Sequence, residues 1–312
     1  MTVGGDPAER AIRLQPLARA KIGSLGTDGE AWLSRLPGTL AALEQQWQVR
    51  LGRPVPGGSA SYVVRAVCAD GARAVVKVGI DGEGLDAQAE TLRRAQGRGY
   101  ARLLGYDRTR RALLIEALGL PLNRAVGSAE EQLDVLADTL TLAWQNPSPA
   151  ARAADKAGDL ARLIETWWAG LGRPCSVAVY RRALEFAERR RSDVTSVVVV
   201  HGDPHPRNLL RITRRRPGGE TGFCFVDPDG LVTDRAYDLG VVLRDWTRQL
   251  RGSDAKPTLR AYCSRVAERS GVDPERIWEW GFVERVSTGL YLKSFGAHGL
   301  AERFLLSAEA LV

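Results

Sequence analysis

Residues 197–208 read VVVVHGDPHPRN, and no other stretch limits the possible folds of this chain so sharply. The four valines Val197 to Val200 are β-branched and apolar, the composition of a short buried strand. Pro204 and Pro206 cannot donate to a strand ladder, so the chain must leave the sheet in a stiff turn after His201-Gly202-Asp203. Asn208 stands five positions beyond Asp203. A second apolar run, Phe223 to Val226, ends in Asp227-Pro228-Asp229. Two strands therefore each deliver a carboxylate to a strand end.

An isolated His-x-Asp is an ordinary surface loop, and an isolated Asp-Pro-Asp is an ordinary turn. Their joint occurrence in this order, with an asparagine at this spacing, points to chemistry. A carboxylate at a strand end can orient a hydroxyl and accept its proton. An amide oxygen and a second carboxylate nearby are the ligands that a hard octahedral cation such as magnesium takes. Of the chain's three histidines, His201 and His205 lie in this loop.

The length of 312 residues suits one large domain or two small ones. With 44% hydrophobic and 26% charged residues, the composition is that of a soluble globular protein. No apolar run approaches a membrane span, and MTVGGDPAERAIRL lacks the apolar core of a secretory signal. Cys68, Cys175, Cys224 and Cys263 are widely spaced and form no metal-binding pattern, so a cytoplasmic location with reduced thiols is expected. The net charge of +7 raises nucleic acid as a partner. The arginines are scattered, however. Their tightest cluster, Arg214-Arg215-Arg216, reads as an exposed hairpin tip without the interleaved aromatics of a single-strand binder. A small-molecule substrate, no nucleic acid, no membrane, and a monomer or weak dimer are expected.

Taken in order, residues 1–50 predict helices over Ala8 to Ala20 and Glu30 to Val49, with Pro37 breaking or kinking the second. These helices are expected to cap the small lobe. Residues 51–118 predict that lobe, which is β-rich. Gly57-Gly58-Ser59 opens a hairpin of Tyr62 to Cys68 and Ala74 to Val78, with Asp70-Gly71 at its turn. A glycine–serine turn of this kind is equally a flexible loop or a set of backbone N–H groups, Ser59 among them, laid over phosphates. Lys77 stands between apolar neighbours and needs a partner. Glu90, in the helix predicted over Leu85 to Ala95, is preferred to Glu83 and Asp86. Strands over Ala101 to Tyr106 and Ala112 to Leu118 come next. The second ends in Glu116-Ala117-Leu118-Gly119, either a plain connection or a hinge whose backbone at Glu116 and Leu118 reads a base edge. Residues 119–312 are predicted to be mostly helical, with the catalytic loop and an acceptor site. The fold class is α+β.

The Val-Val-Lys77-Val strand resembles the V-A-I-K lysine strand of protein kinases. The His201–Asn208 spacing resembles their catalytic loop, H-R-D-x-x-x-x-N, with Gly202 in the arginine's place. The order Gly/Ser turn, Lys77, Glu90, His201-Gly202-Asp203-x-His205-x-x-Asn208, Asp227 resembles the aminoglycoside phosphotransferases of the protein-kinase-like superfamily. The Trp32-Leu33-Ser34-Arg35-Leu36-Pro37 segment and the Asp227 to Asp234 run are similar to the streptomycin 6-kinase and hydroxyurea phosphotransferase branch. Arg207 and the arginine-rich hairpin depart from that pattern.

The resemblance implies a two-lobe protein-kinase-like fold, with a small antiparallel sheet preceding a large helical lobe. It implies ATP and Mg2+ as cofactors and transfer of a phosphoryl group to a small-molecule hydroxyl, on an aminoglycoside such as streptomycin. Hydroxyurea, another natural product or an endogenous sugar or amino alcohol is the alternative acceptor. A non-catalytic nucleotide- or nucleic-acid-binding protein is the remote one. Asp203 takes the place of the catalytic base, Asn208 and Asp227 of the metal ligands, Lys77 and Glu90 of the phosphate anchor, and Asp238 of a structural aspartate. Asp203, Asn208, Asp227 and Lys77 are expected to meet at a cleft between the lobes. Only six residues separate Asp227 from Asp234, too few for a protein-kinase activation loop, so a small acceptor is expected. For a cationic sugar-containing acceptor, the candidate contacts are Asp229, Asp234, Trp246 and Glu284, with Glu279, Trp278 and Trp280 behind them.

Overall fold

The computed structural model describes residues 12, 14, 16–55, 61–80, 84–194, 196–250 and 252–312. The chain divides into two compact units, residues 1–97 with 101–118, and residues 98–100 with 119–312.

The first unit is built on an antiparallel sheet. Its strands are β1 (Val49–Pro54), β2 (Ser61–Cys68), β3 (Arg73–Gly79), β4 (Leu103–Asp107) and β5 (Ala112–Glu116), in the order β1-β2-β3-β5-β4. Side chains alternate across a strand, so one face of β3 carries Ala74, Val76 and Val78 and the other carries Val75 and Lys77. The first face is the core. It packs with Tyr62, Val64, Ala112 and Leu114 against helix α2 (Thr27–Trp47), which contributes Trp32, Leu36, Leu40 and Leu43. Fully burying one such side chain is worth roughly 1.5–3 kcal/mol. Trp32 also donates its indole N–H to the Gly79 carbonyl at 2.9 Å, tying helix to sheet.

Two expectations change here. Pro37 does not break α2, which runs through it as one helix. The proline lies on the exposed side, and the buried stripe of Trp32, Leu36 and Leu40 continues on both sides of it. The preceding helix, α1, spans Pro16–Ser24 instead of Ala8 to Ala20, and residues 8–11, 13 and 15 of the expected range lie outside the described residues. The Gly57-Gly58-Ser59 turn, with Ser59, and Glu83 also lie outside them. Helix α3 spans Leu85–Ala95, the range read from the sequence. Leu85 approaches Gly79 on the face of β3 that carries Lys77.

The second unit is mostly helical. It contains α4 (Leu122–Ala125), α5 (Ala129–Ala143), α6 (Lys156–Gly170), α7 (Val177–Ser192), α8 (Arg235–Arg244), α9 (Ala255–Ser270), α10 (Pro274–Ser294) and α11 (His298–Glu309). Ser128 caps α5 by accepting from the Glu131 N–H at 3.2 Å, the first half of a capping box. Two small antiparallel ribbons sit among the helices: β6 (Val197–Val199) with β9 (Val232–Asp234), and β7 (Leu209–Arg211) with β8 (Phe223–Phe225). The arginine-rich turn between β7 and β8 is not wholly exposed. Arg216 is half-buried and donates to the Tyr100 carbonyl at 3.0 Å. No described helix is long and apolar enough to cross a membrane, and none of the four cysteines forms a disulfide.

Candidate active site

The β6 strand leads through Val200 into His201, Gly202 and Asp203, and α8 fixes this corner. Asp238, fully buried one turn into α8, accepts the backbone N–H of His201 through Oδ2 and that of Gly202 through Oδ1, each at 2.8 Å. Trp144 adds its indole N–H to Oδ2 at 2.9 Å. Burial pushes the Asp238 carboxyl up to about 6, against the pull of these N–H donors.

His201 is the second brace. Its Nδ1 accepts the Asp203 N–H at 3.1 Å, which leaves the proton on Nε2, 2.9 Å from the Val226 carbonyl that it then meets as donor. One imidazole thus joins the Asp203 turn to the residue preceding Asp227. Tyr100 stacks on the ring and Phe225 meets it edge-on. Burial lowers the imidazole to about 4, so it is neutral around pH 7 and acts as a brace.

Gly202 explains why no arginine can stand at this place. It has φ +94°, and a Cβ here would overlap the Asp229 carboxylate. The Asp229 N–H donates to the His201 carbonyl at 2.7 Å, drawing the two loops together. Asp227 itself adopts φ +58°, a left-handed conformation uncommon for a residue other than glycine.

Asp203 stands at the apex with its side chain partly exposed. Arg244 Nη2 donates to its Oδ1 at 2.6 Å, and His205 Nε2 lies 3.4 Å from its Oδ2. Burial alone would raise this carboxyl, but the His205 contact and the Arg244 charge outweigh it and hold the group well below the usual carboxylate range. Arg244 closes α8 and also reaches Glu284 Oε2 at 3.2 Å and Asp245 Oδ1 at 3.4 Å, while the Tyr237 hydroxyl donates to Glu284 Oε1 at 2.7 Å. Three carboxylates therefore share one guanidinium.

Asn208 donates its side-chain N–H to the Asp203 carbonyl at 3.1 Å, which fixes the amide and leaves its oxygen as the acceptor atom. Among the described residues there is no group of three histidine, cysteine, aspartate or glutamate side chains able to cage a metal. An amide oxygen and one carboxylate, completed by substrate oxygens and water, fit a cation such as magnesium, which is rarely enclosed by protein alone.

Several sequence-based candidates take other places. Glu90 does not wait for Lys77. It lies on the solvent side of α3, where Arg93 grips both of its carboxylate oxygens at 2.7 and 2.9 Å. The inward side of α3 carries Gln88 and Thr91 instead. The Glu116 N–H is not free to read a base, because β5 still pairs there and it donates to the Arg102 carbonyl at 3.0 Å. Leu118 ends the first unit. Asp234 is buried. It caps α8 through Ala236 and pairs with Arg276 at 2.5 Å. Trp246 is also buried, its indole N–H given to the Val242 carbonyl at 2.9 Å. Glu279 lies between Arg189 and Arg190, and Trp278 and Trp280 are core. Asp229 and Glu284 remain beside the Asp203 loop. Arg244, Tyr237 and Trp144 went unnoticed in the sequence as parts of the site. The one local signal was the Arg244-Asp245 pair closing the wholly apolar run Leu239 to Leu243.

A family model described as aminoglycoside/hydroxyurea antibiotic resistance kinase matches residues 46–296. The chain is 28% identical to a streptomycin 6-kinase of Streptomyces griseus over 95% of both chains. It is 26% identical to a hydroxyurea phosphotransferase of Kitasatospora aureofaciens, over 92% of this chain and 82% of the other. Among solved structures it is similar in fold to an amicoumacin kinase captured with AMP-PNP and Ca2+, with a TM-score of 0.62 at 13% identity over 91% of this chain and 96% of the other. The fold is protein-kinase-like, and the chain belongs to the aminoglycoside/hydroxyurea antibiotic resistance kinase family of phosphotransferases.

Proposed function

We propose that this enzyme transfers the γ-phosphoryl group of ATP to a hydroxyl of streptomycin or a closely related cationic aminoglycoside. The observation that carries the reading is the Asp203 carboxylate, presented at the end of β6 and held by Arg244 on one oxygen and His205 on the other. A carboxylate has about four acceptor positions, so lone pairs remain on both oxygens for an acceptor hydroxyl. The low proton affinity of Asp203 makes it a weak base before transfer. Its work is to aim the hydroxyl and to receive the proton late, which suits a loose phosphoryl-transfer transition state. His201, Asp238 and Gly202 hold that aim.

Asn208 and Asp227 are the residues that would hold Mg2+, which when bound screens the charge on the phosphate oxygens. Lys77 is proposed to anchor the α- and β-phosphates without Glu90 as its partner. The acceptor's positive charge is supported by the surplus of carboxylate over guanidinium in the Asp203–Glu284–Asp245–Arg244 group. The streptomycin 6-kinases at 26–28% identity support the same acceptor class.

The test is an assay of ATP consumption with Mg2+ and separate acceptors: streptomycin, other aminoglycosides, and hydroxyurea. Phosphorylated streptomycin, identified by mass spectrometry, is the expected product. Turnover of hydroxyurea alone would overturn the aminoglycoside reading and keep the phosphotransferase.

A further inference from the structure

Positions 284, 288, 291 and 295 of α10 succeed one another at intervals of four, three and four, so they share one face of the helix. Glu284 begins that face and is bound to Arg244 beside Asp203. Thr288 is half-buried, Tyr291 is 46% exposed, and Phe295, just past the helix end, is 68% exposed. The Tyr291 and Phe295 rings meet edge to face with centroids 4.5 Å apart.

Helix α6 connects the same two regions. Near its start, Lys156 Nζ lies 5.3 Å from the centre of the Tyr237 ring, whose hydroxyl is bonded to Glu284. About three turns later, Trp167 on the same face of α6 lies 5.3 Å from the Tyr291 ring. At 1.5 Å per residue, the aromatic end lies roughly 10 Å from Glu284 along α10, and roughly 16 Å from Lys156 along α6. A strip therefore runs from a carboxylate-rich end beside Asp203 to three clustered aromatic rings. The fold gains little by exposing them, since large exposed apolar surface in one place marks a binding site more often than a structural need.

We propose that this strip is the acceptor groove, and that Trp167, Tyr291 and Phe295 hold the distal sugar ring of a multi-ring aminoglycoside while its reacting ring lies at Asp203. The inference rests on the aminoglycoside reading above and adds a size requirement to it. Apolar ring faces of a sugar pack on aromatic planes, and charged groups of the reacting ring meet Asp203 and Asp245, the accessible carboxylates around Arg244, with Glu284 buried behind them. A single-ring acceptor is too short to reach the aromatic end.

The experiment compares streptomycin with streptidine, its single-ring diguanidino fragment, on the whole enzyme. For Tyr291→Ala combined with Phe295→Ala, and for Trp167→Ala, KM for streptomycin should rise about tenfold with kcat within about twofold. The ratio of kcat/KM for streptomycin over streptidine should fall about tenfold. Trp167→Phe, which keeps a ring, should restore most of that ratio, and the melting temperatures show whether each variant is folded. An unchanged ratio in folded variants overturns the groove, as does loss of a dimer by light scattering with kinetics unaltered, which makes the face a contact between copies. If the wild-type enzyme phosphorylates neither compound, the aminoglycoside reading itself fails, a different result from an unchanged ratio.

Discussion

Arg244 Nη2 lies 2.6 Å from Asp203 Oδ1, and the same guanidinium reaches Glu284 at 3.2 Å. The carboxylate proposed to aim the acceptor is thus tied through one arginine to the core of α10. Arg244→Ala frees Asp203 and leaves Glu284 buried without its cation. Breaking a buried pair from one side costs about 3–5 kcal/mol, so a large fall in melting temperature is expected, with kcat reduced about a hundredfold in whatever remains folded. Arg244→Lys keeps the charge but loses the fork that spans two carboxylates, and should fall between. Calorimetric melts beside steady-state kinetics check this. An alanine variant with wild-type kcat would remove Arg244 from the account of Asp203.

Gly202 should tolerate no side chain. With φ +94° and the Asp229 carboxylate against its Cα, Gly202→Ala combines backbone strain with a collision. Strain of this kind costs about 1–3 kcal/mol. The variant should lose that much stability by urea unfolding and lose most of its activity, because the loop that carries Asp203 is the part that must move. Full activity in Gly202→Ala would show that the loop repacks freely.

The two buried braces of the loop titrate in opposite senses. His201 falls from 6.5 to about 4 on folding, so between those values the unfolded chain binds more protons and stability rises with pH. Asp238 climbs from 3.8 to about 6, so the folded chain binds more protons there and stability falls as pH rises through that window. The slopes nearly cancel in the wild-type protein between about pH 4 and 6. In His201→Asn the rising part is gone, and the stability deficit relative to wild type should grow with pH by as much as about 3 kcal/mol, at 1.36 kcal/mol per pKa unit. Urea unfolding at pH 4, 5 and 6 measures it. Parallel curves for the two proteins would mean that His201 does not titrate as its burial requires.

The sequence showed its strands where residues alternate or run apolar, and α3 emerged with its observed limits because its apolar spacing is regular. It did not show β1, β7 or β9. β1 begins at Val49, read as the end of the preceding helix; β7 and β9 are three residues each, and what makes β9 a strand is its partner β6, a contact between distant parts of the chain. The same limit applies to the site. Asp203, Asn208 and Asp227 could be proposed from the sequence because their order and spacing lie along the chain. Arg244 was not, because the distance that matters runs across α8. Glu90 was chosen for its mid-helix position, yet the side of a helix that faces the sheet is set by packing, and that side holds Gln88 and Thr91. Asp234 and Trp246 have acceptor-binding chemistry, and their burial in capping and core roles takes them out of reach.

The central claim is that Asp203 aims the acceptor hydroxyl while other residues hold the nucleotide. The most direct measurement is kcat for phosphorylation of streptomycin by Asp203→Ala, taken with Mg2+–ATP affinity by calorimetry on the same sample. Nucleotide affinity should stay within about threefold of wild type and kcat should fall by about 10²- to 10⁴-fold, the range for loss of a positioned acid or base. Wild-type turnover in Asp203→Ala would contradict it.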